Sequence, residues 1–333
     1  MIVPALRREL DRTANKEARV RIESVIDWLT TPHFELVKQM DFDGEWSPKM
    51  AAWSPDGRRL ALADQGAGVR IYDTANWKAV AWIDTGCWSV RHLEYSPSGS
   101  FLAVAQETLD LHKPDTLERA FSIDVSTFDM RFTADDRILV SSSTVEEGLL
   151  VLSRKDGVWA REKAPRRLDH FFVSPDGKWA AAYSWTDRVD GLDVLDSRTF
   201  EKAASFKPGP CDDPVRWFAE YAAFSPNGAW LAFRGFNGEL AAVRIRDWEP
   251  LQRWRPNGTH VECAFTHDSK HLVTAGDDGI VRAWRCETWR EVSNAPLEGR
   301  ATLLVAPRSG DRVLVLHVMK GRTRLSVYRL FQP

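Results

Sequence analysis

Apolar residues along this chain fall mostly in short runs, bounded by turn-forming residues and rich in Val, Ile, Phe, Tyr and Trp. Such runs predict β-strands rather than helices. One phrase recurs: an apolar stretch, a turn of the Ser-Pro-Asp-Gly type, then a second apolar stretch. It reads "AAWSPDGRRLALA" from Ala51, "LEYSPSGSFLAVA" from Leu93, "FFVSPDGKWAAAY" from Phe171 and "AAFSPNGAWLAFR" from Ala222. Weaker copies are "MRFTADDRILVSS" from Met130, "CAFTHDSKHLVTA" from Cys263 and "LLVAPRSGDRVLVL" from Leu303. The first turn residues are Ser54, Ser96, Thr133, Ser174, Ser225, Thr266 and Ala306, spaced 37 to 51 residues apart.

Two strands flank each turn, in which proline presets φ and Gly, Asn or Asp tolerates positive φ. A third run follows, such as "VRIYD" or "VRAWRC", and a fourth leads into the next copy. Four short antiparallel strands repeated at this period predict an all-β fold, a seven-bladed β-propeller. The seventh copy stops at its third strand, Leu325–Leu330, while Phe34–Met40 is a strand that belongs to no copy. Pairing residues 34–40 with 325–330 is expected to complete the last blade, because an unpaired edge would template aggregation. The expected organisation is a helical extension over residues 1–32 and a propeller over residues 33–333.

Within the extension, Leu6, Leu10, Ala14, Ala18, Ile22, Val25, Ile26 and Leu29 recur at three- or four-residue spacing. This predicts an amphipathic α-helix, broken near Thr13–Asn15 and ended before Pro32. Its charges nearly cancel, which argues against a basic helix lying on a membrane. It either packs on the propeller's rim or serves as a docking or dimerisation helix.

The sixth copy continues as "HLVTAGDDGIVRAWRCETWREV", from His271 to Val292. There, and through residues 33–333 more loosely, the chain resembles the WD40-repeat β-propellers. The resemblance implies a blade held by a hydrogen-bond network of His, Ser/Thr, Asp and Trp. Thr274, Asp278 and Trp284 match three members, and His260 stands near the fourth. Other copies depart from the pattern: Tyr72 occupies the Trp position of the first. The resemblance also implies a rigid platform for protein–protein recognition.

Bulky residues sit at two repeated positions. Trp77, Leu117, Phe200, Trp248 and Trp289 fall at the turn into the fourth strand, where they are expected to plug the gaps between blades. Trp46, Trp88 and Trp217 lie eight residues before Ser54, Ser96 and Ser225, in connections leading to the innermost strands. Phe128, Arg166 and His260 occupy nearby places. These residues either cap the channel mouth or contact a partner, Trp and Arg being enriched in binding hot spots. The longest such connection, Lys207–Tyr221, carries Arg216 and Trp217 and is a second candidate contact.

Charge is balanced, with 45 basic and 47 acidic residues, so no electrostatic attraction to nucleic acid or membrane is implied. No run approaches a membrane span, and the N-terminal stretch lacks the apolar run of a signal peptide. Four widely separated cysteines suggest neither zinc nor redox chemistry, so a reduced, cytoplasmic protein is expected. Nucleophile elbow, phosphate-binding loop and H-E-x-x-H motifs are absent. His267 and His271 share a metal-pair spacing but flank a turn, so neither a metal nor a cofactor is expected. The expected channel lining, Ala51, Ala222 and Ala264, is small and apolar. These features favour a non-catalytic scaffold whose partner-binding residues are Trp46, Trp88, Phe128, Arg216, Trp217 and His260. The alternatives are a subunit docking through its N-terminal helix, and an enzyme or small-ligand binder with a site at the channel mouth.

Overall fold

The computed structural model describes residues 2–42, 46–64, 68–86, 90–142, 148–164, 168–183, 192–206, 219–235, 238–254, 258 and 260–332. They form seven four-stranded antiparallel sheets and two N-terminal helices. Blades one to six span residues 48–83, 92–124, 127–163, 170–206, 219–254 and 261–296. In each, sheet order follows chain order from the innermost strand outward. The innermost strands are Pro48–Trp53, His92–Tyr95, Thr127–Phe132, His170–Val173, Ala219–Phe224, Val261–Phe265 and Arg300–Val305. Each touches the next, and the seventh touches the first, so the ring is closed.

The recurrent turns are built by their own side chains. In blade one the Ser54 hydroxyl donates to Asp56 Oδ1 at 2.6 Å and accepts from the Arg59 N–H at 2.9 Å. Asp56 Oδ1 in turn accepts from the Arg58 N–H at 3.0 Å, and Gly57 takes φ +70°. The Asp56 carboxyl is held below its usual range, chiefly by the Ser54 hydroxyl. Ser174 with Asp176, Ser225 with Asn227 and Thr266 with Asp268 repeat this arrangement. At Gly177 glycine is required twice over. Its φ is +70°, and a Cβ there would lie 2.8 Å from the Ala134 nitrogen in the adjoining turn.

Trp77, Leu117, Phe200, Trp248 and Trp289 all take left-handed backbone, with φ between 53° and 60°. Such a φ costs a bulky residue energy, and burial between blades offsets it. Trp289 of blade six stands edge-on to Trp230 of blade five, and Trp248 of blade five to Trp179 of blade four. Phe200 of blade four packs with Leu139, Leu149 and Val151 of blade three, and Leu117 with Ala61 and Ile71 of blade one. Trp77 joins Leu314 and Leu316 of blade seven. Each residue therefore plugs the seam with the preceding blade.

Blade seven takes its three inner strands from residues 300–331 and its outer strand from His33–Phe42. The latter pairs antiparallel with Arg322–Phe331, from His33 opposite Phe331 to Phe42 opposite Thr323. Arg324 reaches Asp41 at 2.5 Å and Glu298 at 2.6 Å. Beneath lies His317, fully buried, with Nδ1 2.6 Å from the Glu298 carbonyl and Nε2 2.9 Å from Ser326 Oγ. Gln39 Nε2 donates to the same hydroxyl at 3.3 Å.

Ahead of the ring, the extension forms helix α1 (Ile2–Arg12) and helix α2 (Lys16–Thr30), broken where the sequence reading expects it. The break is set by Asn15, whose Oδ1 caps α2 by accepting from the Glu17 and Ala18 N–H groups. Neither helix has a fully buried residue. The end of α2 is tied to the ring where Gln332 Nε2 donates to the Thr30 carbonyl at 3.1 Å.

Candidate functional site

All innermost strands run the same way along the channel, so the propeller has two unlike ends. One carries the connections entering these strands and the other carries the Ser-Pro-Asp-Gly-type turns leaving them. At the entering end, several innermost strands bulge near their start, at Pro48/Met50, Thr127/Asp129, Ala219/Tyr221 and Ala301/Leu303. A bulge re-aims the extra residue. In blade three that residue is Phe128, which is 42% exposed. Its carbonyl is gripped at 2.7 Å by His92 Nε2 of blade two. His260 is also exposed, and its carbonyl accepts from the Asp277 N–H at 3.2 Å.

Trp46 differs from the expectation of a surface contact. It is 6% exposed, edge-on to Phe42, with the Arg70 guanidinium 4.3 Å from its ring centre. Packed against Phe42 and Arg70, the ring is not available to a partner. Trp88, Arg166, Arg216 and Trp217 lie outside the described residues, as does most of the Lys207–Tyr221 connection. Tyr221 itself belongs to the innermost strand of blade five rather than to a loop.

In blade six the Trp284 indole N–H donates to Thr274 Oγ1 at 2.9 Å. Asp278 accepts from Arg282 at 2.5 Å and from the Ile280 N–H at 3.2 Å. Arg282 thus pairs with the Asp278 carboxylate.

Ala51, Ala222 and Ala264 do line the channel, as expected, but blades two, three and four add ionisable groups to its wall. Blades two, three and four bring His92, Glu94, Asp129, Arg131 and His170 together at their inner strands. Asp129, 1% exposed, accepts from the Phe171 and Met130 N–H groups at 3.0 and 2.8 Å. Arg131 lies 2.7 Å from it, His92 3.4 Å and His170 3.6 Å. Burial alone would raise the Asp129 carboxyl, but the Arg131 charge, with hydrogen bonds from His170 and the Phe171 N–H, holds it well below the usual range. Arg131 can only donate, so the His92 Nδ1 it meets at 3.2 Å is an acceptor. The proton of His92 therefore sits on Nε2, facing the Phe128 carbonyl. Burial also lowers the His92 pKa, which keeps that ring neutral.

Glu94 is the other ionisable group of this wall. Burial pushes its pKa up to about 7, against the opposing pull of Arg131 and the Phe132 N–H. That N–H donates to Glu94 Oε2 at 3.2 Å. Sequence reading missed these groups, whose one local signal is the alternation His92-Leu93-Glu94 and Asp129-Met130-Arg131. Among the described residues no three His, Cys, Asp or Glu side chains are grouped to hold a metal ion. No helix among them is long and apolar enough to cross a membrane.

The WD domain, G-beta repeat family matches residues 248–285. This stretch joins the outer strand of blade five to three strands of blade six, so the sequence repeat is offset from the blade. The β-propeller domain of Myceliophteria thermophila Cps50 (Swd1) superimposes with a TM-score of 0.70 over 90% of this chain and 100% of that domain, at 11% identity. The chain is a WD40-like β-propeller. Such a propeller supports a general role as a platform for protein interaction.

Among curated proteins, this WD40-like propeller is similar to the U3 small nucleolar RNA-associated protein 18 homolog of Arabidopsis thaliana. Identity is 32% over 90 residues, covering 27% of the chain and 16% of that protein. It is also similar to telomerase protein component 1 of Mus musculus, at 22% identity over 302 residues, covering 85% of the chain and 11% of that protein. The chain thus spans a minor fraction of the length of the curated relatives it matches.

Proposed function

We propose that this WD40-like propeller is a non-catalytic scaffold for protein–protein recognition, working through the end that carries the connections into the innermost strands. The observation that supports this most is Phe128: it sits exposed at a bulge, and a histidine of the preceding blade fixes its backbone. An aromatic anchor held this way loses little freedom on binding. Exposed His260 belongs to the same face, and Trp88, Arg216 and Trp217, which lie outside the described residues, hold the corresponding repeat positions in sequence. Photo-crosslinking from position 128, with exposed Val158 on an outer strand as control, would identify the partner. Its affinity should then fall for Phe128→Ala, Trp88→Ala and Trp217→Ala. Unchanged affinity in all three removes this face from the proposal.

A second reading, a structural subunit of a larger assembly, is favoured by the helices. Ile2, Val20, Val25 and Trp28 are exposed apolar residues on α1 and α2. The curated relatives are, by name, an RNA-associated protein and a telomerase component, which accords with life in an assembly. Native mass spectrometry of the full chain and of a chain lacking residues 1–30 separates the readings. Loss of fixed-stoichiometry partners on removal of the helices favours the subunit.

A further inference from the structure

Along the channel lie two adjoining cavities, of about 280 and 470 Å³. Both are lined by Glu94, Arg131, Tyr221 and Arg308, so they form one space across the propeller axis. A few hundred cubic ångströms is the size range of small-molecule sites. Apolar side chains make up somewhat more than half of the walls, Val305, Ala222 and Ala264 among them.

The polar groups are unequally committed. Arg131 is held by Asp129 and by the Met130 carbonyl at 2.7 Å. Arg308, on the turn of blade seven, makes no hydrogen bond or ion pair among the described residues, yet its charge is felt at Glu94. Asp129 neutralises Arg131, which leaves one guanidinium and one carboxyl group facing the chamber. A single negative charge would complete that set.

We propose that this chamber binds a small organic carboxylate. Its carboxylate lies between Arg308 and Glu94, and its apolar body lies against Val305, Ala222 and Ala264. Arg308 supplies the charge-assisted donor. In its protonated form Glu94 donates its own hydrogen to the ligand's second oxygen, and in its ionised form it repels the ligand. A dianion such as phosphate fits poorly, because the chamber offers one uncommitted cation and a wall more apolar than polar. Binding therefore depends on the protonation of Glu94. The groups facing that carboxyl are His92 on its own strand, Asp129 and Arg131 of blade three, Tyr221 of blade five and Arg308 of blade seven. This ligand role goes beyond partner recognition and rests on Arg308 and Glu94 rather than on Phe128, Trp88 or Trp217, so either reading can fail alone.

Calorimetric titration of the full chain with hexanoate and benzoate tests it, with hexanamide, benzamide and inorganic phosphate as comparisons. The carboxylates should bind at least about tenfold more tightly than their amides, the scale of one charge-assisted pair. Binding should strengthen from pH 8 to pH 6. Arg308→Gln, a change at an exposed side chain, should weaken it by about tenfold or more with the melting temperature unchanged. The proposal is overturned if neither carboxylate binds, if amides or phosphate bind equally well, or if Arg308→Gln binds as the parent does.

Discussion

The indole of Trp289 meets that of Trp230 edge to face, with ring centres 5.7 Å apart and planes at 89°. The two belong to neighbouring blades, and Trp289 holds a left-handed backbone to make the contact. Trp289→Ala should cost about 3–5 kcal/mol, as for other buried aromatic truncations. Trp289→Gly should be less damaging by about 1 kcal/mol, because glycine removes the backbone cost. Chemical denaturation of the three proteins checks the order. If Gly proves worse than Ala, the positive φ carries no strain at that turn.

Deleting residues 33–41 should lower the melting temperature of the entire propeller, since it strips blade seven of its outer strand and Arg324 of Asp41. Removing residues 1–30 should change it little, because α1 and α2 bury no residue fully. Thermal unfolding followed by circular dichroism distinguishes the two. Equal melting temperatures for the parent and the 33–41 deletion would exclude this strand as a structural clasp.

Stability should decline as pH falls below about 6.5, the ordinary histidine value. Burial lowers the pKa of His317, and likewise of His92 and His271, in the folded chain. In that range the unfolded chain binds more protons than the folded one, so acid favours unfolding. The stabilisation is complete above the unfolded value and is lost as pH drops toward the folded one. Urea unfolding at pH 5, 6 and 8 measures the slope, and His317→Gln should flatten it.

Glu94 acts in the opposite direction. Its folded pKa of about 7 exceeds the ordinary 4.5, so its contribution is full at acid pH and lost as pH rises toward 7. Glu94→Gln should therefore stabilise the propeller at pH 8 relative to the parent and show no such gain at pH 4. Equal effects at both values would mean that the carboxyl ionises normally.

Arg131→Met should cost about 3–5 kcal/mol, because it leaves the Asp129 carboxylate buried without its cation. Combining it with Asp129→Asn should recover part of the loss, a coupling that a double-mutant cycle reads directly. Additive losses would show that the two residues do not form a functional pair.

What could be read from the chain and what could not follow from distance along it. The turns at Ser54, Ser174 and Ser225 satisfy their backbone groups within six residues, so the residue types alone announce them. The same holds for the helix break at Asn15 and for the left-handed plugs, which recur at one place in the repeat. The channel cluster is different. His92, Asp129 and His170 stand about 40 residues apart, one per blade, and each alternates with apolar neighbours as any amphipathic strand does. Only ring closure shows that their faces converge. Trp46 illustrates a related limit: its repeat position matches those of Trp88 and Trp217, yet Phe42 and Arg70 decide where its ring points.

The clasp also sets an order of events during synthesis. The strand His33–Phe42 is synthesised ahead of every blade but has its partner only when Arg322–Phe331 follows the six complete blades. Blades one to six can assemble as they appear, each with its own neighbours. The first strand must meanwhile wait in solution, half-apolar and unpaired, until the last one is translated. Such a long-range contact is entropically slow to form. The vulnerable interval in this protein's life is thus its own biogenesis, when a chaperone on that waiting strand would matter most.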